Sequence, residues 1–98
     1  MPVQIRTALR DDKVTVGVQG SLDLSLASAV LNRVFGAEAS PREVILDLGE
    51  VDTVFESGLA ALLVLKRRAK QAGRRLHIVN CSRDVATRCR DLGIGAVC

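Results

Sequence analysis

The chain has 98 residues, of which 48% are hydrophobic and 26% charged, a composition that suits one folded domain with an aliphatic core. Its net charge of +3 and its two aromatic residues, both Phe, do not provide the basic, aromatic-bearing surface that nucleic-acid binding uses. No run reaches the roughly 18 apolar residues of a membrane span, and the N-terminus has no signal-peptide pattern. We expect one cytoplasmic domain over residues 1–98.

The cysteines and the single histidine limit the possible chemistry. Cys81, Cys89 and Cys98 form no C-x-x-C pair, and His77 stands alone, which argues against a zinc site or a catalytic thiol. Free thiols in a small chain fit a reducing compartment. We expect neither a metal nor another cofactor.

The first segments predict a hairpin. Residues 3–8 suit a strand, and Asp11 and Asp12 suit a turn. Residues 13–18 alternate between apolar and small or polar residues, which is typical of a half-buried strand. A short acidic turn between two such strands favours antiparallel pairing.

A helix is predicted next. Asp23 or Ser25 is placed to cap it, and apolar residues follow at i, i+3, i+4, i+7 and i+8 from Ala27, the spacing of a helix with one buried stripe. Gly36 is its expected end.

The second half alternates between strands and helices. Residues 44–48 are almost all apolar, as expected of a strand covered on both faces in the middle of a sheet. A helix over 57–72 ends at Gly73, and a strand follows over 75–80.

Ser82 is placed to cap a third helix that ends at Gly93, and residues 94–98 form a last strand or a tail. The order β-β-α-β-α-β-α, with a possible final β, implies right-handed crossovers and a partly parallel sheet of the α/β class.

The second helix is apolar nearly all round in its first two turns. On a helical wheel its core stripe consists of Leu62, Leu65, Ala69 and Ala72. Leu59, Ala60 and Leu63 point elsewhere, toward a side that becomes basic one turn later. Either a neighbouring helix or a partner protein must cover them. The basic residues themselves suit a solvated helix end.

Three short motifs resemble those of the STAS family (sulfate transporter and anti-sigma factor antagonist domains). Gly20-Ser21-Leu22-Asp23 is similar to its Gly-x-Leu/Ile-Asp, and residues 44–48 to its central strand. Phe55-Glu56-Ser57-Gly58-Leu59 is similar to its Asp-Ser-Ser/Thr-Gly-Leu at the start of the second helix. The order and spacing of the motifs extend the resemblance over nearly the whole chain.

The resemblance implies a four- or five-stranded mixed sheet with about three or four helices mainly on one face. It also implies a non-enzymatic role in binding a protein partner, often an anti-sigma factor that is itself a serine kinase. Carried over to this chain, the candidate partner-binding and switch residues are Asp23, Phe55, Glu56, Ser57, Gly58, Leu59 and Leu63.

The chain departs from the family pattern at two positions. Phe55 stands where the family has Asp, and Glu56 stands at the serine that accepts phosphate. Glu56 therefore either imitates a phosphoserine with a permanent charge or is an ordinary first-turn acid. Ser57 is either the helix N-cap or an alternative phosphoacceptor. Asp23 either caps the first helix or joins Glu56 in an acidic rim.

The sequence also bears on two other classes of function. The run of apolar residues over 58–65 also resembles STAS subunits of bacterial ABC transporters for phospholipids, whose partner is an ATPase. An enzyme is disfavoured, because the sequence has no P-loop, no G-x-G-x-x-G and no Ser/His/Asp or Cys/His set. Some STAS domains bind nucleotides, but nothing in these residues independently supports that here.

Overall fold

The computed structural model describes residues 4–32 and 42–91. These ranges contain strands and helices in the predicted order. The strands are β1 (Gln4–Arg10), β2 (Lys13–Leu22), β3 (Glu43–Val54) and β4 (Arg75–Val79), and the helices are α1 (Ser25–Val30), α2 (Glu56–Gln71) and α3 (Arg83–Asp91). The expected helix ends at Gly36 and Gly93 and the predicted last segment, 94–98, lie outside the described residues.

The four strands form one mixed sheet in the order β1-β2-β3-β4. β1 and β2 pair antiparallel as the predicted hairpin, and Asp11 and Asp12 in its turn have φ values of 49° and 64°. Asp tolerates this left-handed region better than most residues. β2 pairs with β3, and β3 with β4, in parallel, with α1 and α2 in the two connections. The predicted α/β class and mixed sheet are confirmed.

The core lies between one face of the sheet and the helices. Along β3, Val44, Leu46 and Leu48 are buried, whereas Ile45 and Asp47 are only half-buried. The predicted alternation in β2 is confirmed in the same way. The sheet and helix residues that form this core include Val14, Val16, Val18, Leu26, Val30, Leu62 and Leu65. Each fully buried aliphatic side chain of this kind contributes about 1.5–3 kcal/mol.

The opposite face of the sheet carries an ion-pair network. Ile45 lies between its strand partners Thr15 and His77. Glu43 Oε2 is 3.4 Å from Lys13 Nζ, and Glu43 Oε1 is 3.5 Å from His77 Nε2. Burial disfavours the charged carboxylate, but the hydrogen bonds and charges of Lys13 and His77 outweigh it and lower the pKa of Glu43. β3 is therefore central in the sheet, as predicted, but fully covered on one face only.

The predicted helix signals at Gly73 and Ser82 are confirmed. Gly73 has a φ of 69°, and the N–H groups of Gly73 and Arg74 donate to the carbonyl oxygens of Lys70 (3.1 Å) and Ala69 (2.8 Å). This is the hydrogen-bond pattern of a Schellman motif, which favours glycine at the left-handed position. The Ser82 hydroxyl accepts a hydrogen bond of 3.2 Å from the third residue of α3.

Candidate functional site

The carboxyl ends of β2 and β3 lie side by side and lead into α1 and α2. Leu22 and Val54 are paired across the two parallel strands, and the Phe55 N–H donates to the Leu22 carbonyl oxygen at 3.0 Å. The fold thus brings together the two sequence motifs around residues 20–23 and 55–59. This edge of an open α/β sheet is a common position for binding sites.

Gly58 lets α2 begin directly against the end of β2. A Cβ atom at this position would lie 2.1 Å from the carbonyl oxygen of Leu22 and 2.8 Å from its Cγ. Both separations are far shorter than a van der Waals contact. The glycine of the 55–59 motif therefore has a packing role, since any larger residue would push α2 away from β2.

The outer side of the first turn of α2 is exposed, and this helix has no side-chain cap. Phe55 occupies the N-cap position with extended backbone, and its carbonyl oxygen accepts hydrogen bonds from Gly58 (2.9 Å) and Leu59 (3.3 Å). The prediction that Ser57 caps this helix is wrong, because the helix already begins at Glu56. Ser57 instead lies inside the first turn, where its side chain is exposed.

Glu56 displays its carboxylate at the positive end of α2. It is the acidic residue of the first turn, and it is exposed. A carboxylate here interacts favourably with the backbone N–H groups that have no partner within the helix, which stabilises the helix by about 0.3–1 kcal/mol. The predicted exposed position of this charge at the start of α2 is confirmed.

Asp23 holds the start of α1. Its Oδ1 accepts a hydrogen bond from the Ser25 N–H at 2.9 Å and another from the Ser25 hydroxyl. The N-cap position itself is held by Leu24, and no side chain caps α1, so the prediction that Asp23 or Ser25 is the N-cap is wrong; Asp23 bonds the first residue of α1 from one position before the cap. Asp23 directly follows Leu22, whose carbonyl contacts the start of α2, so the two motifs share one edge of the sheet.

Two large apolar side chains are exposed at the same edge. Leu24 and Phe55 are 57% and 50% exposed, and they immediately precede α1 and α2. Aromatic side chains that a partner can cover are frequent anchors of protein interfaces. Phe55 stands where the resembling family has Asp, so a charged position in that pattern is apolar here.

A partly open groove of about 350 Å³ lies between α2 and α3. Its lining includes Glu56, Leu59, Ala60, Leu63, Arg88 and Asp91. Leu59, Ala60 and Leu63 form the apolar floor of this groove. The charged side chains of Glu56, Arg88 and Asp91 surround it. Arg88 Nε also lies 4.0 Å from Asp84 Oδ1, one turn earlier on α3.

The helical wheel placed Leu59 incorrectly. Leu59 is only 3% exposed and belongs to the core, so the expectation that it points away from the core is wrong. The first turn of α2 is enclosed by the end of β2, and more of its circumference is buried than a wheel of an isolated helix indicates. Leu63 is half-buried and Ala60 exposed, in accord with their predicted orientation.

Sequence reasoning missed Leu24, Val64, Arg88 and Asp91. Val64 is 40% exposed on α2, and its place next to Leu63 was the available signal. Arg88 and Asp91 enter the site because α3 lies beside α2, a tertiary arrangement that the pattern of α3 alone does not report.

The cysteines differ from the expectation of free thiols. Cys81 is disulfide-bonded, so the expectation is wrong at this position, and it gives no support for a reducing compartment. Which sulfur atoms pair depends on their distance in space, which sequence spacing does not give. Cys89 is free and buried. Burial raises the pKa of its thiol, with the charge of Lys66 acting in the opposite direction, so this thiol is a poor nucleophile.

Among residues 4–32 and 42–91, no three His, Cys, Asp or Glu side chains are grouped so as to hold a metal ion. No helix in these ranges combines the length and apolarity of a membrane span.

Comparison with known proteins assigns the fold to a family. The STAS domain matches residues 4–97. The chain belongs to the STAS domain family. No curated protein is detectably similar to it in sequence. STAS domains include regulatory, protein-binding modules, and the assignment confirms the resemblance carried by the three sequence motifs.

Solved structures similar to this STAS domain include those of SpoIIAA and RsbS. SpoIIAA of Bacillus, an anti-sigma factor antagonist, in its unphosphorylated form has a TM-score of 0.74 and 16% identity, covering 94% of this chain and 83% of SpoIIAA. A serine-to-glutamate variant of RsbS from Moorella thermoacetica has a TM-score of 0.75 and 19% identity, covering 96% and 84%. At these identities the likeness establishes the fold.

Part of a larger protein, Mglu, is also similar. It has a TM-score of 0.68 and 26% identity over 80% of this chain, which spans only 20% of the length of Mglu. The STAS fold therefore also occurs as one part of a longer chain.

Proposed function

We propose that this STAS domain is a non-enzymatic regulatory module that binds an anti-sigma factor, or a related serine kinase, and so regulates transcription. Its docking surface comprises Asp23, Phe55, Glu56, Ser57 and Leu63, supported by Gly58 and Leu59 beneath them. The observation that carries the proposal is the exposed start of α2. There the aromatic ring of Phe55, the carboxylate of Glu56 and the hydroxyl of Ser57 lie together beside an apolar groove. The likeness to SpoIIAA and RsbS supports it.

The apolar part of the docking surface supplies affinity. Phe55 is half exposed, and Leu63 is half-buried in the floor of the groove. A partner that covers both removes apolar area from water, at roughly 25 cal/mol per Å² before the cost of association. The Glu56 carboxylate and the backbone N–H groups at the start of α2 then orient the partner, since charged groups at the rim of an interface contribute more to specificity than to affinity.

Glu56 sets the charge of the docking surface. A phosphoserine at a helix start carries about −1.5 to −2 charges, whereas a glutamate carries −1 at all times near neutral pH. In this proposal Glu56 keeps the surface permanently charged, so control by phosphorylation is altered or absent. The exposed carboxylate in an uncapped first turn supports this role. An acid that only stabilises the helix would leave partner affinity unchanged when replaced.

Ser57 remains exposed and does not cap α2. A phosphate on Ser57 would stand beside the Glu56 carboxylate, and like charges at neighbouring positions repel. We therefore expect no phosphate on Ser57 after incubation with the cognate kinase and ATP, as read by mass spectrometry. A stoichiometric phosphate on Ser57 would show that control by phosphorylation has moved by one residue rather than been lost.

Calorimetric titration with the cognate anti-sigma factor tests the proposal. We expect Phe55→Ala to weaken binding about tenfold or more, and Glu56→Ser or Glu56→Ala to change the affinity measurably. Glu50→Gln is the matched control for loss of a carboxylate, because Glu50 is exposed on β3 and is not part of the docking surface, and we expect it to bind like wild type. Unchanged binding by Phe55→Ala, or co-purification with an ABC ATPase and permease instead, would contradict the proposal.

A further inference from the structure

One face of α2 carries a pattern that is complementary to itself. Five residues on this face are separated by four, three, four and three positions, which is the heptad spacing of the contact residues in a helix–helix seam. At about 100° per residue they lie within an arc of about 80°, opposite the buried face of the helix. The members of this seam are Glu56, Ala60, Leu63, Arg67 and Lys70. All are exposed except Leu63, which is half-buried.

The charges of the seam are arranged symmetrically about its centre. Glu56 lies seven residues before Leu63, and Lys70 lies seven residues after it, so each is about 10.5 Å from Leu63 along the helix axis. When two such helices run antiparallel with Leu63 against Leu63, Glu56 of each copy meets Lys70 of the other. Antiparallel packing also places the positive end of each helix dipole beside the negative end of the other.

We propose that this chain forms a homodimer with two-fold symmetry through antiparallel packing of α2 on α2. One surface then pairs with itself, as two-fold interfaces require. The second copy is the occupant that fits, because α2 alone supplies both members of each charge pair at the matching distance. Ala60 is small and exposed, which leaves room for the aliphatic stem of Arg67 from the second copy.

The contact is small, and the dimer is therefore weak. A single pair of helices falls in the class of interfaces below about 1,200 Å² that are transient. We expect a dissociation constant on the order of 100 µM. The dimer shares Glu56 and Leu63 with the docking surface, so self-association and partner binding exclude each other. The dimer itself does not rest on the proposed function, since the experiment uses this chain alone.

Sedimentation equilibrium from about 10 µM to 1 mM tests the dimer. We expect wild type to follow a monomer–dimer equilibrium. Glu56→Lys and Lys70→Glu each place two like-charge pairs in the homodimer, and each weakens association about tenfold or more. An equimolar mixture of these two variants restores association, because the mixed dimer has two opposite-charge pairs. The double variant Glu56→Lys/Lys70→Glu restores it as well.

Arg10→Glu is the matched control for Lys70→Glu. Arg10 is exposed on β1, and its replacement makes the same change in net charge outside the seam, so it leaves association unchanged. Leu63→Asp at the centre abolishes the dimer, with circular dichroism as the check on folding. If Leu63→Asp does not fold, the charge-swap mixture decides alone. A wild type that is monomeric at 1 mM, an equal effect of Arg10→Glu, or a mixture that associates no better than its components would overturn the proposal.

Discussion

The two helices α1 and α2 begin at the ends of neighbouring parallel strands, but they are started by different means. At α1 the N-cap residue Leu24 makes no side-chain bond, but the carboxylate of Asp23, one residue earlier, accepts hydrogen bonds from Ser25. At α2 no side chain caps the helix, and the Phe55 carbonyl receives the first N–H groups. The position of α2 is instead set by the close contact of Gly58 with Leu22.

This difference separates a structural helix start from one that is open to a partner. The N–H groups at the start of α1 are satisfied from within the chain, and α1 is covered by the core at its first turn. The start of α2 is held from beneath, by backbone and by packing, while its outer side carries Glu56 and Ser57 into solvent. A helix end held in this way leaves its first-turn side chains available to a partner.

The largest predicted effect concerns the packing that holds α2. Gly58→Ala places a Cβ 2.1 Å from the Leu22 carbonyl oxygen, and we expect it to lower the free energy of unfolding by about 3 kcal/mol or more. Chemical denaturation measures this. Gly17→Ala is the control, because a Cβ at Gly17 meets nothing within 4 Å, and we expect it to be neutral or stabilising by about 0.5 kcal/mol. An equal change in the free energy of unfolding for both substitutions would show that the contact of Gly58 with Leu22 does not set the position of α2.

A smaller effect distinguishes the polar side chains at the starts of the two helices. Asp23→Ala removes the carboxylate that accepts hydrogen bonds from Ser25, and we expect a loss of about 1 kcal/mol in the free energy of unfolding. Ser57→Ala removes a hydroxyl that does not cap α2, and we expect less than about 0.5 kcal/mol. Thermal or chemical denaturation of both variants provides the measurement. A reversed order would mean that Ser57 stabilises α2 after all.

The smallest predicted effect concerns the stability of the fold in acid. We expect part of its pH dependence to arise at Glu43, away from both helix starts. The pKa of Glu43 is lowered in the folded chain by Lys13 and His77, so this carboxylate stabilises the fold at neutral pH. Its contribution is lost as the pH falls through the folded-state pKa. We expect the free energy of unfolding to fall on acidification, and Glu43→Gln to reduce that fall. An unchanged pH dependence would point to other carboxylates.

Much of the fold was predictable because its signals are local. The alternation in β2, the Schellman glycine at Gly73 and the cap at Ser82 each depend on residues close in sequence, and the structure confirms all three. The exposed carboxylate of Glu56 followed from the same kind of reasoning. These signals also fixed the order of strands and helices.

The parts that sequence did not predict depend on contacts distant in the chain. α2 begins at Glu56 rather than at Ser57, and the N–H of its N-cap residue Phe55 is bonded to Leu22, 33 positions earlier in the chain. Leu59 is buried because the end of β2 encloses the first turn of α2. The pairing of Cys81 and the groove formed with Arg88 likewise depend on distances in space.

The central claim is that the start of α2 is the surface that binds a partner. The most direct test is nuclear magnetic resonance of the isotope-labelled chain titrated with the cognate anti-sigma factor, following the backbone amide shifts. We predict that the largest changes occur at Asp23 and Leu24 and over residues 55–63. Changes confined to the outer face of the sheet, around Thr15, Ile45 and His77, would contradict the account.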